Sequence, residues 1–322
     1  MILVVGGAGY IGSHVNKYLF LKKEKTLVLD NLSSGHREFC QWGEFVLGDI
    51  ADEKQLDLIF RIYPITAVMH FSAFLFVGES VEKPLKYWEN NVSNTLKLLK
   101  KMIENNVKYF IFSSSAAVYG IPKYVPIDEE HPTNPINPYG MTKLTVEKIL
   151  DDFDKAYGLK YASLRYFNAS GADFDCRIGE RHNPETHLIP LVLDAAVGQK
   201  DYITIYGTDY NTPDGTCIRD YIHVDDLAEA HFLALNYIMD SNESQIFNLG
   251  NGKGFSVKEI VLIAERVTGK KIHSIYSGRR EGDPDILIAG SEKARQLLDW
   301  EPRYSEPEVI IESAWNWHQK LQ

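Results

Sequence analysis

Tyr139 and Lys143 stand four residues apart in NPYGMTKLTVEKIL, residues 137–150. On a helix that spacing puts both side chains on one face. A phenol near its reference pKa of about 10 is a poor base at neutral pH. A neighbouring ammonium favours the phenolate, and a drop of three units corresponds to about 4 kcal/mol of differential stabilisation. Such a pair suits removal of a hydroxyl proton while hydride leaves the same carbon for a cofactor. Spacing alone does not select it, because Tyr18/Lys22 and Tyr119/Lys123 repeat the pattern. Position does. Pro138 suits a helix entrance, and MTKLTVEKILDDF continues with helix formers to about Phe153. Gly120 and Pro122 break any helix after Tyr119, while Tyr18 and Lys22 fall late in a helix, far from its ligand-facing end.

The elements that must position this pair are short apolar runs: ILVV (2–5), TLVLD (26–30), EFVLGD (44–49), AVMHFSA (67–73), YFIFSSS (109–115) and ASLRYF (162–167). Helical spacing lies between them, as in Asn91, Thr95, Leu98, Leu99 and Met102. Strands alternating with helices predict an α/β fold with a Rossmann-like, doubly wound parallel sheet, and strands without polar alternation fit coverage on both faces. In such sheets ligands bind at the carboxyl ends of the strands. The first strand runs into GGAGYIGSH, which spaces Gly6, Gly9 and Gly12 for the close approach of a pyrophosphate to a helix N-terminus, the helix running from about Ile11 to Lys22. Asp30 closes the second strand 18 residues past Gly12 and suits the hydroxyls of an adenosine ribose. The same carboxylate would repel a 2′-phosphate, so the expected cofactor is NAD. Asp49 is placed to hold the adenine amino group, and Ser113, Ser114 and Ser115 end a strand at the same crevice.

At 322 residues, with 44% hydrophobic and 24% charged, the chain is long enough for a sizeable core. A net charge of −10 argues against nucleic acid as partner. Three scattered cysteines, Cys40, Cys176 and Cys217, without a CxxC suggest neither disulfides nor a metal site and fit a reducing, cytoplasmic setting. MILVVGGAGYIG has no basic n-region, and no apolar run reaches 18 residues, so neither signal peptide nor membrane span is expected. From about residue 169 the pattern loosens into turn-rich sequence. The expected division is a cofactor domain over 1–168 and a smaller α/β substrate domain over 169–322, with about 217–240 returning to the first.

The motifs GGAGYIGSH, DNLSSGH, EKPLKYWENNVSNTL, FSSSAAVYG, NPYGMTK, LRYFNASGA, GTDYNTPDGTCIRDYIHVDDLA, FNLG and RREGDP follow one another as they do in a known family. In them the chain resembles the extended short-chain dehydrogenase/reductases, and within these the UDP-glucose (UDP-galactose) 4-epimerases, along essentially its whole length. The resemblance implies NAD-dependent inversion at sugar C4 through a 4-keto intermediate, with Tyr139 as base, Lys143 as the ribose-binding and pKa-lowering lysine, and Ser115 as their hydrogen-bonding partner. It extends the cofactor set to Gly6, Gly9, Tyr10, Ile11, Gly12, Asp30, Asn31, Asp49, Ile50, Phe71, Asn91, Ser113, Tyr139, Lys143 and Tyr166. For the UDP-sugar it implies Ser115, Tyr139, Asn168, His187, Leu188, Arg219, Arg280, Asp283 and Leu287. A homodimer is implied through helices at 89–106 and 139–157.

Three positions depart from the common pattern. Leu75 stands where many relatives have a lysine reaching the cofactor, and His187 stands where an asparagine often contacts substrate. Leu287 takes a position that is tyrosine in enzymes restricted to glucose and galactose and smaller in those accepting N-acetylated sugars, so at least weak turnover of UDP-N-acetylglucosamine is expected. The departures keep open a preference for UDP-glucuronate or a UDP-pentose, and a catalytically silent NAD-binding regulator is the reading from another class. A 4,6-dehydratase is disfavoured because Ala116 and Ala117 follow Ser115 where an acid/base pair would be needed.

Overall fold

Every residue of ILVV, TLVLD and AVMH is buried, as runs covered on both faces must be. The computed structural model describes residues 1–280 and 282–321. Its first part alternates β1 (Ile2–Val5), α1 (Tyr10–Leu21), β2 (Thr26–Asp30), β3 (Glu44–Leu47), α2 (Glu53–Ile62), β4 (Ala67–His70), α3 (Val77–Glu82), α4 (Pro84–Tyr87), α5 (Asn94–Glu104), β5 (Tyr109–Ser113), α6 (Pro138–Tyr157) and β6 (Lys160–Tyr166). There follow β7 (Asn168–Ser170), α7 (Leu188–Val197), β8 (Ile203–Tyr206), β9 (Ile218–Arg219), β10 (Tyr221–His223), α8 (Val224–Ser241) and β11 (Gln245–Leu249). The chain closes with β12 (Phe255–Ser256), α9 (Val257–Thr268), β13 (Ser274–Ser277), β14 (Ile286–Leu287), α10 (Glu292–Leu298) and α11 (Pro307–Lys320).

The seven-stranded sheet is parallel throughout, in the order β11-β6-β5-β4-β1-β2-β3. This is the Rossmann-like, doubly wound sheet that the sequence predicts. Its order reverses between β1 and β4, which opens a crevice above their carboxyl ends. Successive residues of β1 face opposite layers: Ile2 and Val4 pack with Val15, Leu19, Leu227 and Phe247, whereas Leu3 and Val5 pack with Leu56, Leu98 and Val146. Each such buried aliphatic side chain contributes about 1.5–3 kcal/mol. The segment after Cys217 supplies α8, which packs on α1, β5 and β6, and then β11, which pairs with β6 as an outer strand. A third core forms under α7, α9 and α11, around Ile189, Val192, Ile260 and Trp315.

One expected helix differs in form. The stretch expected over 89–106 begins with π-helical winding at Trp88–Ser93 and becomes α-helical only from Asn94. Asn91, within that wider turn, accepts from the Phe74 amide at 2.9 Å and donates to the Phe74 carbonyl at 3.1 Å, so its side chain stands in for a strand partner. Among the described residues no helix is long and apolar enough to cross a membrane.

Candidate active site

Above the reversal point of the sheet lies a cleft of about 1850 Å³, walled by the turn after β1, the ends of β2, β4 and β5, the start of α6, and loops from the second half of the chain. The turn requires glycine. Gly6 has φ +78°, and a Cβ there would lie 2.6 Å from the Ser72 amide nitrogen. At Gly12 a Cβ would lie 2.3 Å from the Gly6 carbonyl oxygen, so only glycine lets α1 start this close to the turn. Gly9 is the N-cap of α1, and no side chain caps that end. Its first amides and the positive end of the helix dipole are therefore free for an anion.

Asp30 follows at the end of β2, 8% exposed. One carboxylate oxygen accepts from the Ala8 amide at 2.9 Å and the other from the Leu32 amide at 2.8 Å, which fixes the group while each oxygen keeps a further lone pair. Burial raises its pKa, and the two amides oppose the rise. Asn31 donates to Asp49 at 2.7 Å, and Asp49 accepts from the Ala51 amide at 2.8 Å. Tyr10, Ile11, Ile50, Phe71 and Tyr166 line the same wall. Tight glycine turn, open helix end and anchored ribose acceptor together fit NAD.

The three serines that close β5 and follow it have separate partners. Ser113 offers its carbonyl to Lys143 Nζ at 2.6 Å and its hydroxyl to the hydroxyl of Tyr166. Ser114 donates to Glu147 Oε1 at 2.5 Å. Ser115 accepts from the Ala117 amide at 3.1 Å and faces the cleft. Helix α6 begins where the sequence places it: Pro138 occupies its first turn, the Asn137 side chain accepts from the Gly140 amide at 2.9 Å, and Gly158 closes it in the left-handed region. Tyr139 is tied by its amide to Ser80 Oγ at 3.2 Å, and Lys143 Nζ lies 5.8 Å from the centroid of the Tyr139 ring. Both side chains line the cleft with Ser115.

Burial shifts both members of the pair. Burial raises the Tyr139 phenol, with the Ser115 hydroxyl opposing the rise, and burial lowers Lys143 to about 7, opposed by the charge of Glu147. Burial thus works against the charged form of both groups, and Lys143 gives its nearest hydrogen bond to the neutral Ser113 carbonyl, so a phenolate beside an ammonium needs support from beyond these two side chains.

Glu147, the next turn of the same helix face, went unnoticed in the sequence. Its side chain is 3% exposed, and it accepts from Ser114 and from Arg165 Nε at 2.9 Å and Nη2 at 2.5 Å. Arg165 continues to the Tyr119 hydroxyl at 2.9 Å, and Tyr119 donates to Asn248 Oδ1 at 2.6 Å. The i, i+4, i+8 series Tyr139–Lys143–Glu147 was the available signal: a carboxylate continuing the same helix face one turn on. The other two tyrosines of the repeated spacing point elsewhere. Tyr119 is buried in this network, and Tyr18 donates to Glu229 on α8 at 3.0 Å.

The cleft is also lined by Asn168, His187, Arg219, Arg280, Asp283 and Leu287, together with Leu75. Arg219, 8% exposed, is paired with Asp283 and also donates to the Ile218 carbonyl at 2.7 Å. Arg280 is exposed and lies 4.0 Å above the Tyr206 ring. His187 turns Nδ1 to Glu180 at 2.8 Å and Glu185 at 3.1 Å, which leaves Nε2 for a ligand. Leu287 packs beside Val118, Tyr119, Ile127 and Leu144. Two expected contacts are not among the residues lining the cleft. Asn91 is buried and spent on Phe74 and on Thr142, 3.2 Å away, so it braces the wall from behind. Leu188, the first residue of α7, packs into the third core instead.

Residues 2–250 match the model of the NAD dependent epimerase/dehydratase family. The UDP-glucose 4-epimerase of Halalkalibacterium halodurans is 54% identical over 319 residues, 99% of this chain and 96% of that one. Among solved structures, a UDP-glucose 4-epimerase from Brucella ovis in complex with NAD superposes with a TM-score of 0.96 at 49% identity, covering 98% of this chain and 97% of its own. A UDP-glucose 4-epimerase from Bifidobacterium longum in complex with NAD+ and UDP does so with a TM-score of 0.93 at 38% identity, over 99% and 98%. With its glycine turn, its Tyr139–Lys143 helix and this likeness along nearly its full length, the chain belongs to the NAD dependent epimerase/dehydratase family, among the UDP-glucose 4-epimerases.

Proposed function

We propose that the protein interconverts UDP-galactose and UDP-glucose by inverting C4 through a 4-keto intermediate. The observation that carries this reading is convergence: Ser115, Tyr139 and Lys143 line one cleft with the glycine turn and with Arg219 and Arg280. Held along Gly6–Gly12 and Asp30, NAD would supply the hydride acceptor and donor at C4 and a positive ring beside Tyr139. Tyr139 takes the proton of the C4 hydroxyl, and Ser115 shares that hydrogen bond as charge develops on oxygen. Lys143, fixed to the Ser113 carbonyl, would hold the cofactor's ribose and, in its ammonium form, favour the Tyr139 phenolate. Arg219 and Arg280 meet the diphosphate, with Asn168 beside them, and Asp283 exchanges its pairing with Arg219 for the uridine ribose. Anchored there, the ketosugar turns its other face to the site without leaving, and Tyr139 returns the proton.

Because the cycle ends with the cofactor in its starting state, a chain that keeps NAD bound through purification converts UDP-galactose to UDP-glucose with none added. Purified protein assayed in that way should be active, and Tyr139→Phe should lose about 10²–10⁴-fold while retaining NAD. An unchanged rate in Tyr139→Phe would overturn the assignment of the base.

The proposal extends to organisation. Residues 1–168 with α8 form the cofactor half and the remainder the substrate half, in a chain working in a reducing, cytoplasmic setting where Cys40, Cys176 and Cys217 stay free. The assembly is a homodimer through the helical face around α5 and α6, where Leu96 and Met141 are 38% and 39% exposed. Light scattering after gel filtration reads the dimer directly.

A further inference from the structure

The loop that enters α7 gathers two histidines and two glutamates, Glu180, His182, Glu185 and His187, with one donor atom from each within 4.8 Å of the others. Glu180, His182 and Glu185 are largely buried, with side chains 7%, 13% and 14% exposed. Both imidazoles turn the same atom inward. His182 Nδ1 lies 3.2 Å from Glu180 Oε1 and 3.5 Å from Glu185 Oε2, and His187 Nδ1 lies 2.8 Å from Glu180 Oε1 and 3.1 Å from Glu185 Oε1. A tetrahedral ion with ligands at about 2.0–2.2 Å sets neighbouring ligand atoms roughly 3.3–3.6 Å apart; the two separations at His182 Nδ1 match this, and the two at His187 Nδ1 are shorter and would open on binding, with Glu185 offering a different oxygen to each imidazole. His182 Nδ1 is also buried without a well-directed hydrogen bond, although two carboxylates are within reach. Such an atom is short of a partner on its lone-pair axis. The Glu185 carboxylate is aimed by the amides of Thr186 at 2.7 Å and His187 at 2.8 Å, the kind of outer support that orients a ligand.

We propose that Glu180, His182, Glu185 and His187 form a binding site for a divalent transition cation of the zinc class. Two imidazole nitrogens and two carboxylate oxygens suit a borderline ion better than magnesium or calcium, which take oxygen donors. Two carboxylates and two neutral imidazoles also balance its charge. The site is independent of the epimerase assignment, and the cysteine pattern pointed away from any metal. Its place gives it a role. The Glu180 carbonyl accepts from Trp317 Nε1 at 2.9 Å, the Arg181 carbonyl accepts from His36 Nε2 at 2.9 Å, and the His182 ring meets Tyr10 of α1 edge-on with centroids 6.3 Å apart. An ion here ties the loop over the cofactor end of the cleft. On Nδ1 of His187 it also fixes the tautomer, so that Nε2 carries the proton it can give to substrate.

The test is calorimetric titration of Zn²⁺ into the NAD-loaded protein after removal of metals with a chelator, with Mg²⁺ as comparison. Expected are about one Zn²⁺ per chain at micromolar or lower Kd, no saturable Mg²⁺ binding, and at least about a 100-fold weakening in both His182→Ala and Glu185→Gln. Absence of saturable Zn²⁺ binding, or undiminished binding in the two variants, overturns the site. Cobalt(II) reads the unaltered protein even if the variants misfold. The visible bands of four-coordinate cobalt without sulfur charge transfer support the site; their absence, or thiolate bands from a cysteine, refutes it.

Discussion

Replacing Glu147 by glutamine keeps the shape of the side chain and removes its charge, leaving the Arg165 guanidinium, 5% exposed, without its carboxylate partner. Breaking a buried pair from one side costs about 3–5 kcal/mol, because the surviving charge is stranded in a dry interior. Deleting both halves costs less than the two single losses together. Thus Glu147→Leu with Arg165→Met should show a favourable coupling of at least about 1.5 kcal/mol, offset in part by the Ser114 and Tyr119 hydroxyls that lose partners. Urea and thermal unfolding of the four proteins measure this. The same substitution must also reach the chemistry. Glu147 is the charge that opposes the burial-driven fall of Lys143 to about 7, so removing it lowers Lys143 further. If the ammonium is the working form, activity is lost above its pKa, and the alkaline limb of the kcat/KM profile moves to lower pH in Glu147→Gln. Additivity within about 0.5 kcal/mol would refute the stability argument. An unmoved alkaline limb would refute the electrostatic link between Glu147 and Lys143.

Gly12→Ala drives a Cβ to within 2.3 Å of the Gly6 carbonyl, and because the obstacle is backbone the turn must shift; co-purified NAD should fall at least about tenfold, read by absorbance after denaturation. Leu287 lines the cleft, so the wild type should turn over UDP-N-acetylglucosamine at least weakly and Leu287→Tyr should lose that activity while keeping UDP-galactose conversion; a wild type active on UDP-galactose and silent on the N-acetyl sugar would sink the idea. In NAD-stripped protein the unfolded chain holds the Lys143 proton up to about pH 10.5, whereas the folded chain releases it near 7. The unfolded state binds more protons in that window, so this group makes stability rise from pH 7 toward 10.5, by on the order of 5 kcal/mol in full. Lys143→Met should remove that part of the pH dependence of the thermal midpoint, and equal slopes in the two proteins would contradict it.

The parallel sheet was readable because each central strand is a short run without polar alternation, and the glycine turn because three glycines lead from such a run into a helix. The Tyr139–Lys143 face was readable for a similar reason: Asn137, Pro138 and Gly158 are local signals that start and stop α6 within the sequence itself. What stayed hidden depends on partners distant in sequence. Glu147 looks like a surface acid of an amphipathic helix until Arg165, 18 residues on, is brought against it from β6. Asn91 and Leu188 sit inside matching motifs, but the motif cannot say which way a side chain turns; the π-wound stretch sends Asn91 to the Phe74 backbone, and Leu188 turns into the core under α7.

Tyr119 shows most clearly where spacing stops being informative. With Lys123 it repeats the interval of Tyr139 and Lys143, and local sequence removes it as a base, since Gly120 and Pro122 break any helix after it. Yet it is not idle. Its hydroxyl takes the remaining arm of Arg165 and passes the hydrogen-bond chain to Asn248 at the edge strand β11, so it lies two contacts from Glu147 and three from the serine beside Ser115. A local rule can say that a residue does not perform the chemistry. Only the packed fold shows that it holds in register the strand end and the helix face that do.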